Sequence, residues 1–177
     1  MAKRLFSKIS PAIWASRRVR GVSPMARNFY LYLLTNEHID STGCYRLPDP
    51  YACFDFGINQ EQLETLYGEL LQADMISRDI AAEWLLVRRW FKHNPPTNAD
   101  YAKGTRKLIA AIESDKLREE TEAEFTEAVV ALEARLEEIA ASRVERAMKA
   151  KLLDGHHGIG NPHSGNLANT NYMRGRG

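Results

Sequence analysis

The chain has 177 residues, 44% of them hydrophobic and 27% charged, which suits one ordinary domain plus an appendage and excludes a wholly disordered protein. No stretch approaches the roughly 18 apolar residues of a membrane span, and residues 1–14 are basic without a continuous apolar run, so neither membrane insertion nor secretion is expected. The two cysteines, Cys44 and Cys53, fit a reduced, cytoplasmic protein.

A net charge of +1 excludes nothing by itself, but its distribution is uneven. Lys3, Arg4, Lys8, Arg17, Arg18, Arg20 and Arg27 all precede the first acidic residue, Glu37. A second basic run, Arg88, Arg89, Lys92, Lys103, Arg106 and Lys107, is opposed by Asp100 alone. Residues 119–138 are strongly acidic. Segregation of this kind points to one basic face.

Three segments follow from composition: a mixed, aromatic-rich domain over 1–115, a charged helix over 116–153 without Gly or Pro, and a Gly- and Asn-rich tail over 154–177 expected to be disordered. Within the first, Ser23-Pro24 reads as a helix start, with the Ser hydroxyl as cap and Pro at the first turn. The helix is expected to run to about Glu37, with Ala26, Phe29, Tyr30, Leu33 and Leu34 on its apolar stripe. A turn at residues 40–43 leads to a short strand, Cys44 to Leu47. A brief helix over 49–56 ends at Gly57. Asn59, with Gln62 three residues on, opens a second helix through a capping box. That helix places Leu63, Leu66, Leu70 and Leu71 inward and stops near Ala73. Residues 75–78 and 83–90 then pair as a hairpin. Pro95-Pro96 breaks the chain before a closing helix from about Asp100 to Glu113. Helix, strand, helix, helix, strand, strand is the order of a winged helix-turn-helix, a mainly α architecture with a small β wing.

The residues carry a resemblance as well. Pro11 and Trp14, then Ser23, Pro24, Ala26, Arg27 and Tyr30, then Asp40 and Gly43, then Leu70 with residues 73–76, and finally Trp84, Leu85, Val87 and residues 90–94, resemble the winged-helix domain of phage replication initiation proteins. They are similar more broadly to DnaD-like replisome organisers. The resemblance covers roughly residues 4–112. It implies a cytoplasmic protein of a phage-infected or prophage-bearing bacterium that binds origin or fork DNA, self-assembles, and recruits the helicase or its loader.

In an ordinary winged helix the second helix of the helix-turn-helix enters the major groove. Here its outward face would show Gln60, Glu61, Glu64, Thr65, Gly68, Glu69 and Gln72, a poor surface to press on phosphates. Gln60, Thr65 and Gln72 could read base edges, yet a structural or protein-facing helix fits the charge better. The DNA-binding candidates are therefore Lys3, Arg4, Lys8, Arg17, Arg18, Arg20, Arg27, Arg88, Arg89, Lys92, Arg106 and Lys107. Half a dozen such contacts would weaken binding on the order of 10³-fold between about 50 and 200 mM salt. Arg88 and Arg89, as neighbours on a strand, should face opposite sides. Trp14, Trp84 and Trp90 read better as core than as stacking platforms.

Catalysis finds little support, since no nucleotide-loop, metalloprotease or nucleophile-elbow motif occurs. Cys44 and Cys53 lack zinc-knuckle spacing, and His156, His157 and His163 fall in the tail. No enzyme, metal or cofactor is expected. In the acidic helix, Phe125, Val129, Leu132, Leu136 and Ile139 form a short heptad seam suited to self-association or a partner helix. The other reading is a helix packed on its own domain, or one that frays. Two further functions stay open: a protein–protein adaptor without DNA binding, and a winged-helix transcriptional regulator.

Overall fold

The structure, a computed structural model, describes residues 7–154. Lys3, Arg4 and residues 155–177, with the three histidines of the expected tail, lie outside them, while Asp154 belongs to a described helix. The described chain is mainly helical with one three-stranded antiparallel sheet, and no described helix is long and apolar enough to cross a membrane.

A single 3₁₀ turn, Pro11–Ala15, leads into the short helix α1 (Arg17–Gly21). Helix α2 (Pro24–Thr35) starts as its residues dictate: the Ser23 hydroxyl accepts from the Ala26 N–H at 3.1 Å, with Pro24 in the first turn. Ala26, Phe29 and Leu33 are fully buried. The helix stops before Glu37 because Asn36 turns extended and its buried amide donates to the Tyr32 and Leu33 carbonyls and the Tyr45 hydroxyl.

Strand β1 (Cys44–Arg46) follows a turn in which the Asp40 carboxylate accepts from the Thr42 N–H at 2.7 Å. Helix α3 (Asp49–Phe56) ends on Gly57 at φ +69°, in the left-handed region where a residue without Cβ is favoured. Helix α4 (Gln60–Gln72) carries both arms of the capping box: Asn59 accepts from the Gln62 N–H at 2.9 Å, and Gln62 accepts from the Asn59 N–H at 3.1 Å. Leu63, Leu66, Tyr67 and Leu70 are its buried face, whereas Leu71, expected inside, is 44% exposed.

Strands β2 (Ile76–Asp79) and β3 (Trp84–Val87) form the hairpin, with Ile76 opposite Val87 and Asp79 opposite Trp84. β3 also pairs with β1, so the sheet order is β1-β3-β2. β3 stops at Val87, three residues earlier than expected. The reason is Trp90 and Phe91, consecutive and both buried; a strand would turn one of them to the opposite face. Arg89 instead takes φ +60°, and Trp90–His93 form the short helix α5.

Helix α6 (Ala99–Ile109), capped by Asn98, ends before Glu113. Ile112 is buried in the turn that follows. Ser114 then opens the 40-residue helix α7 (Asp115–Asp154), and its hydroxyl also donates to Asp79 at 2.6 Å. The chain divides into two units at Leu136. The first therefore continues past residue 115, because Leu117, Thr121 and Phe125 on the first turns of α7 are buried. Phe125 meets Phe91 edge to face at 5.1 Å. Within the second unit α7 continues from Glu137 to Asp154 with Ile139, Val144 and Met148 exposed.

The tryptophans divide. Trp90 is buried, and its indole N–H donates to the Ser41 carbonyl at 2.9 Å. Trp84 is half-buried. Trp14 is 58% exposed, against the expectation of core packing. The 3₁₀ turn explains it: Ser10, Ile13 and Ser16 share one face by the period of three, and Trp14 falls off that face.

Candidate nucleic-acid interface

The N-terminal segment forms one wall of a cleft of about 250 Å³. Lys8, Ile9, Ala12 and Ile13 line that wall, and Arg18 on α1 continues it. Tyr30 and Leu34 on α2 supply the floor; both sit on the apolar stripe but are only half-buried because they open into this cleft. The far side is Arg88 and Arg89 after β3, with Lys92 and His93 on α5. Five cations and one histidine thus line the cleft, and no described carboxylate does. Arg88, Arg89 and Lys92 also line the neighbouring groove that holds Asp74, Glu124 and Glu127.

The geometry of Arg88 and Arg89 differs from a strand pair. Because β3 has ended and Arg89 is left-handed, both side chains line the same cleft. The Arg89 N–H donates to the Glu124 carboxylate at 2.9 Å, which holds α7 under the start of α5. Burial raises the Glu124 carboxyl above its ordinary range, against the lowering effect of the Arg89 and Trp90 backbone N–H groups.

The cations are not equivalent. Arg18 donates to the Asp74 carbonyl and lies 3.5 Å from its carboxylate. Arg88 reaches the same carboxylate at 2.9 Å and Glu120 at 3.6 Å, and donates to the Ser77 hydroxyl. Lys8, Arg89 and Lys92 form no ion pair with a described carboxylate. His93 registers the resulting field: burial first, then the charges of Lys92, Arg18 and Arg89, hold its imidazole below its ordinary value of 6.5.

The remaining candidates separate. Arg17 and Arg20 are exposed on α1. Arg27 is not available to a phosphate, because its guanidinium donates to the Val22 carbonyl at 3.1 Å and the Arg20 carbonyl at 3.0 Å, clamping α1 to α2. Arg106 lies 5.6 Å over the Phe125 ring. It and Lys107 are exposed on α6, and neither lines the cleft.

Helix α4 keeps its acidic face, and the structure shows what some of that acid does. Glu69 accepts from the Ser23 N–H and hydroxyl, both at 2.8 Å, joining α4 to α2. Glu64 lies 3.4 Å from Arg78, whose nearly buried guanidinium also meets Asp49 at 2.7 Å and stacks on Tyr67. Glu61, Thr65, Gly68 and Gln72 are left exposed.

The heptad seam divides too. Phe125 is 1% exposed and Val129 packs against the core, so both are occupied within their own domain instead of facing a partner. Leu132 lines a groove with Phe91 and Pro96. Leu136 and Ile139 are exposed. Burial lifts the Cys44 thiol to about 12, leaving it inert at neutral pH.

Tyr30, His93 and Asp74 were not distinguished as site residues by sequence. Helical spacing marks Tyr30 as apolar-facing without saying whether the core or a cleft receives it. Compared with family models, with curated proteins and with solved structures, the chain has no significant match.

Proposed function

We propose that the first unit is a winged-helix domain that binds nucleic acid through the cleft between the N-terminal segment and α5, not through α4. The observation that carries this reading is the convergence of Lys8, Arg18, Arg88, Arg89 and Lys92 on one cleft that no described carboxylate lines. The order of elements and the β1-β3-β2 sheet support the winged-helix assignment. The exposed Arg17 and Arg20 extend the positive surface beyond the cleft. The sequence resemblance directs the function to replication initiation of the phage type, with the helicase or its loader as protein partner. In this reading the protein is a binding module without catalytic chemistry.

With Arg27 clamped and Arg18 and Arg88 shared with Asp74, Lys8, Arg89 and Lys92 in the cleft and the exposed Arg17 and Arg20 are the cations left to meet phosphates. Affinity should then fall roughly 10²- to 10³-fold between about 50 and 200 mM salt. Fluorescence anisotropy of a labelled oligonucleotide across that range tests the reading; no binding at low salt would remove it. A protein adaptor is the second reading, favoured by the exposed acid of α4 and by exposed Leu136 and Ile139. Binding that survives charge reversal of the cleft would favour it. A transcriptional regulator would instead show a strong preference for one duplex sequence.

A further inference from the structure

The cleft is small and carries two chemistries. At about 250 Å³ it lies just under the range of roughly 300–1,000 Å³ typical of small-molecule pockets. A duplex, whose major groove alone is about 12 Å wide, cannot enter it; one nucleotide can. Phosphates of a duplex need only cations on an accessible surface. They make no use of a floor built from Tyr30, Leu34 and Ile13, beneath a rim of Lys8, Arg89 and Lys92. An aromatic surface beside a cationic groove is the arrangement that holds single strands, by base stacking together with phosphate neutralisation. The Tyr30 hydroxyl makes no hydrogen bond to a described residue, so it is free to meet a base edge.

An extended acidic peptide would also find cations here, but the strand backbone that reaches the cleft is already paired. The central strand β3, flanked by β1 and β2, ends at the cleft with Val87. Met75, just before β2, already accepts there from the Arg88 N–H at 3.1 Å, so strand addition is not favoured there. The route for duplex reading is weak as well, since α4 turns acid outward.

We infer that the cleft accepts one unpaired nucleotide of a single strand, its base against Tyr30 and its phosphates between Lys8, Arg89 and Lys92. The inference rests on the nucleic-acid reading above and assigns its strand preference.

The test is anisotropy of the full chain with three labelled probes: a short oligothymidylate, an abasic strand of equal phosphate count, and a hairpin duplex. On the unaltered protein the oligothymidylate should bind about tenfold more tightly than the abasic strand, the scale of one stacked base, and more tightly than the duplex. Tyr30→Ala should abolish the difference and leave abasic-strand affinity unchanged, while Tyr30→Phe keeps it. Equal affinity for the abasic strand and the oligothymidylate would overturn the inference and leave the nucleic-acid reading standing. So would tighter binding of the duplex. Displacement of the oligothymidylate by an acidic peptide at lower concentration would overturn it in favour of a protein ligand. No binding of any probe would remove both readings.

Discussion

Arg88 is held 2.9 Å from the carboxylate of Asp74, and Arg18, from the opposite wall of the cleft, meets the same residue. Asp74 takes φ +55°, a left-handed conformation that Asp and Asn tolerate better than most residues. One exposed carboxylate thus draws together two elements far apart in the chain and offsets part of their charge. Asp74→Asn keeps the backbone preference and removes the charge. Oligonucleotide affinity should rise about two- to tenfold, the effect of releasing one to two phosphate-binding cations. Stability should fall by less than about 1 kcal/mol, as for exposed pairs. Anisotropy and thermal melting read the two effects, and a loss of affinity would count against the cleft.

Cations that meet phosphate and cations that hold the fold separate by salt dependence. Lys8→Ala and Lys92→Ala should each lower the slope of log affinity against log salt by about 0.7–0.9 with little change in melting temperature. Arg27→Ala should leave that slope in place. It should destabilise by about 1–3 kcal/mol, because two backbone carbonyls lose a charged donor.

Signals that act within four residues were legible in the sequence: the Ser23 and Asn59 caps, the Gly57 stop, and the apolar spacing of α2 and α4. Each depends on the backbone beside it and needs no distant partner. The early end of β3 was not legible, because it depends on Trp90 reaching Ser41 and on Phe91 reaching Phe125. The site was half legible for the same reason. Charge segregation marks the basic runs, but the pairing of Arg18 and Arg88 with Asp74 and the self-bonding of Arg27 are tertiary. Trp14 shows the other side: hydrophobicity alone did not reveal that the face of its 3₁₀ turn is turned outward.

Gly43 backs the tryptophan that starts α5. Its φ is +69°, and a Cβ there would lie 2.3 Å from the Trp90 ring. The indole is fixed by the Ser41 carbonyl and cannot withdraw cheaply. Gly43→Ala should cost roughly 3 kcal/mol or more, combining backbone strain and overpacking. Denaturant unfolding should show a lower midpoint, and oligonucleotide affinity should weaken with it because Arg89 and Lys92 flank Trp90.

Two groups give opposite pH dependences. Burial raises the Glu124 carboxyl above 4.5 in the folded protein. Its contribution is therefore fully present below that value and is lost as pH rises through the raised one. Glu124→Gln still accepts from the Arg89 N–H and should flatten that fall in melting temperature. His93 is shifted the other way, below 6.5, so its contribution is present above 6.5 and lost as pH falls through the lowered value. Bound phosphates should oppose the surrounding cations. The His93 titration followed by NMR should then move upward on adding oligonucleotide, and affinity should rise as pH drops below 6.5.

The most direct test of the account is oligonucleotide binding by the triple variant Lys8→Glu, Arg89→Glu, Lys92→Glu beside the control Lys107→Glu. Lys107 is equally basic but lies on α6, away from the cleft. At about 0.1 M salt the triple variant should bind at least roughly 10²-fold more weakly than the unaltered protein, and the control within about threefold of it. Equal losses in the two variants, or an unchanged triple variant, would contradict the cleft as the nucleic-acid site.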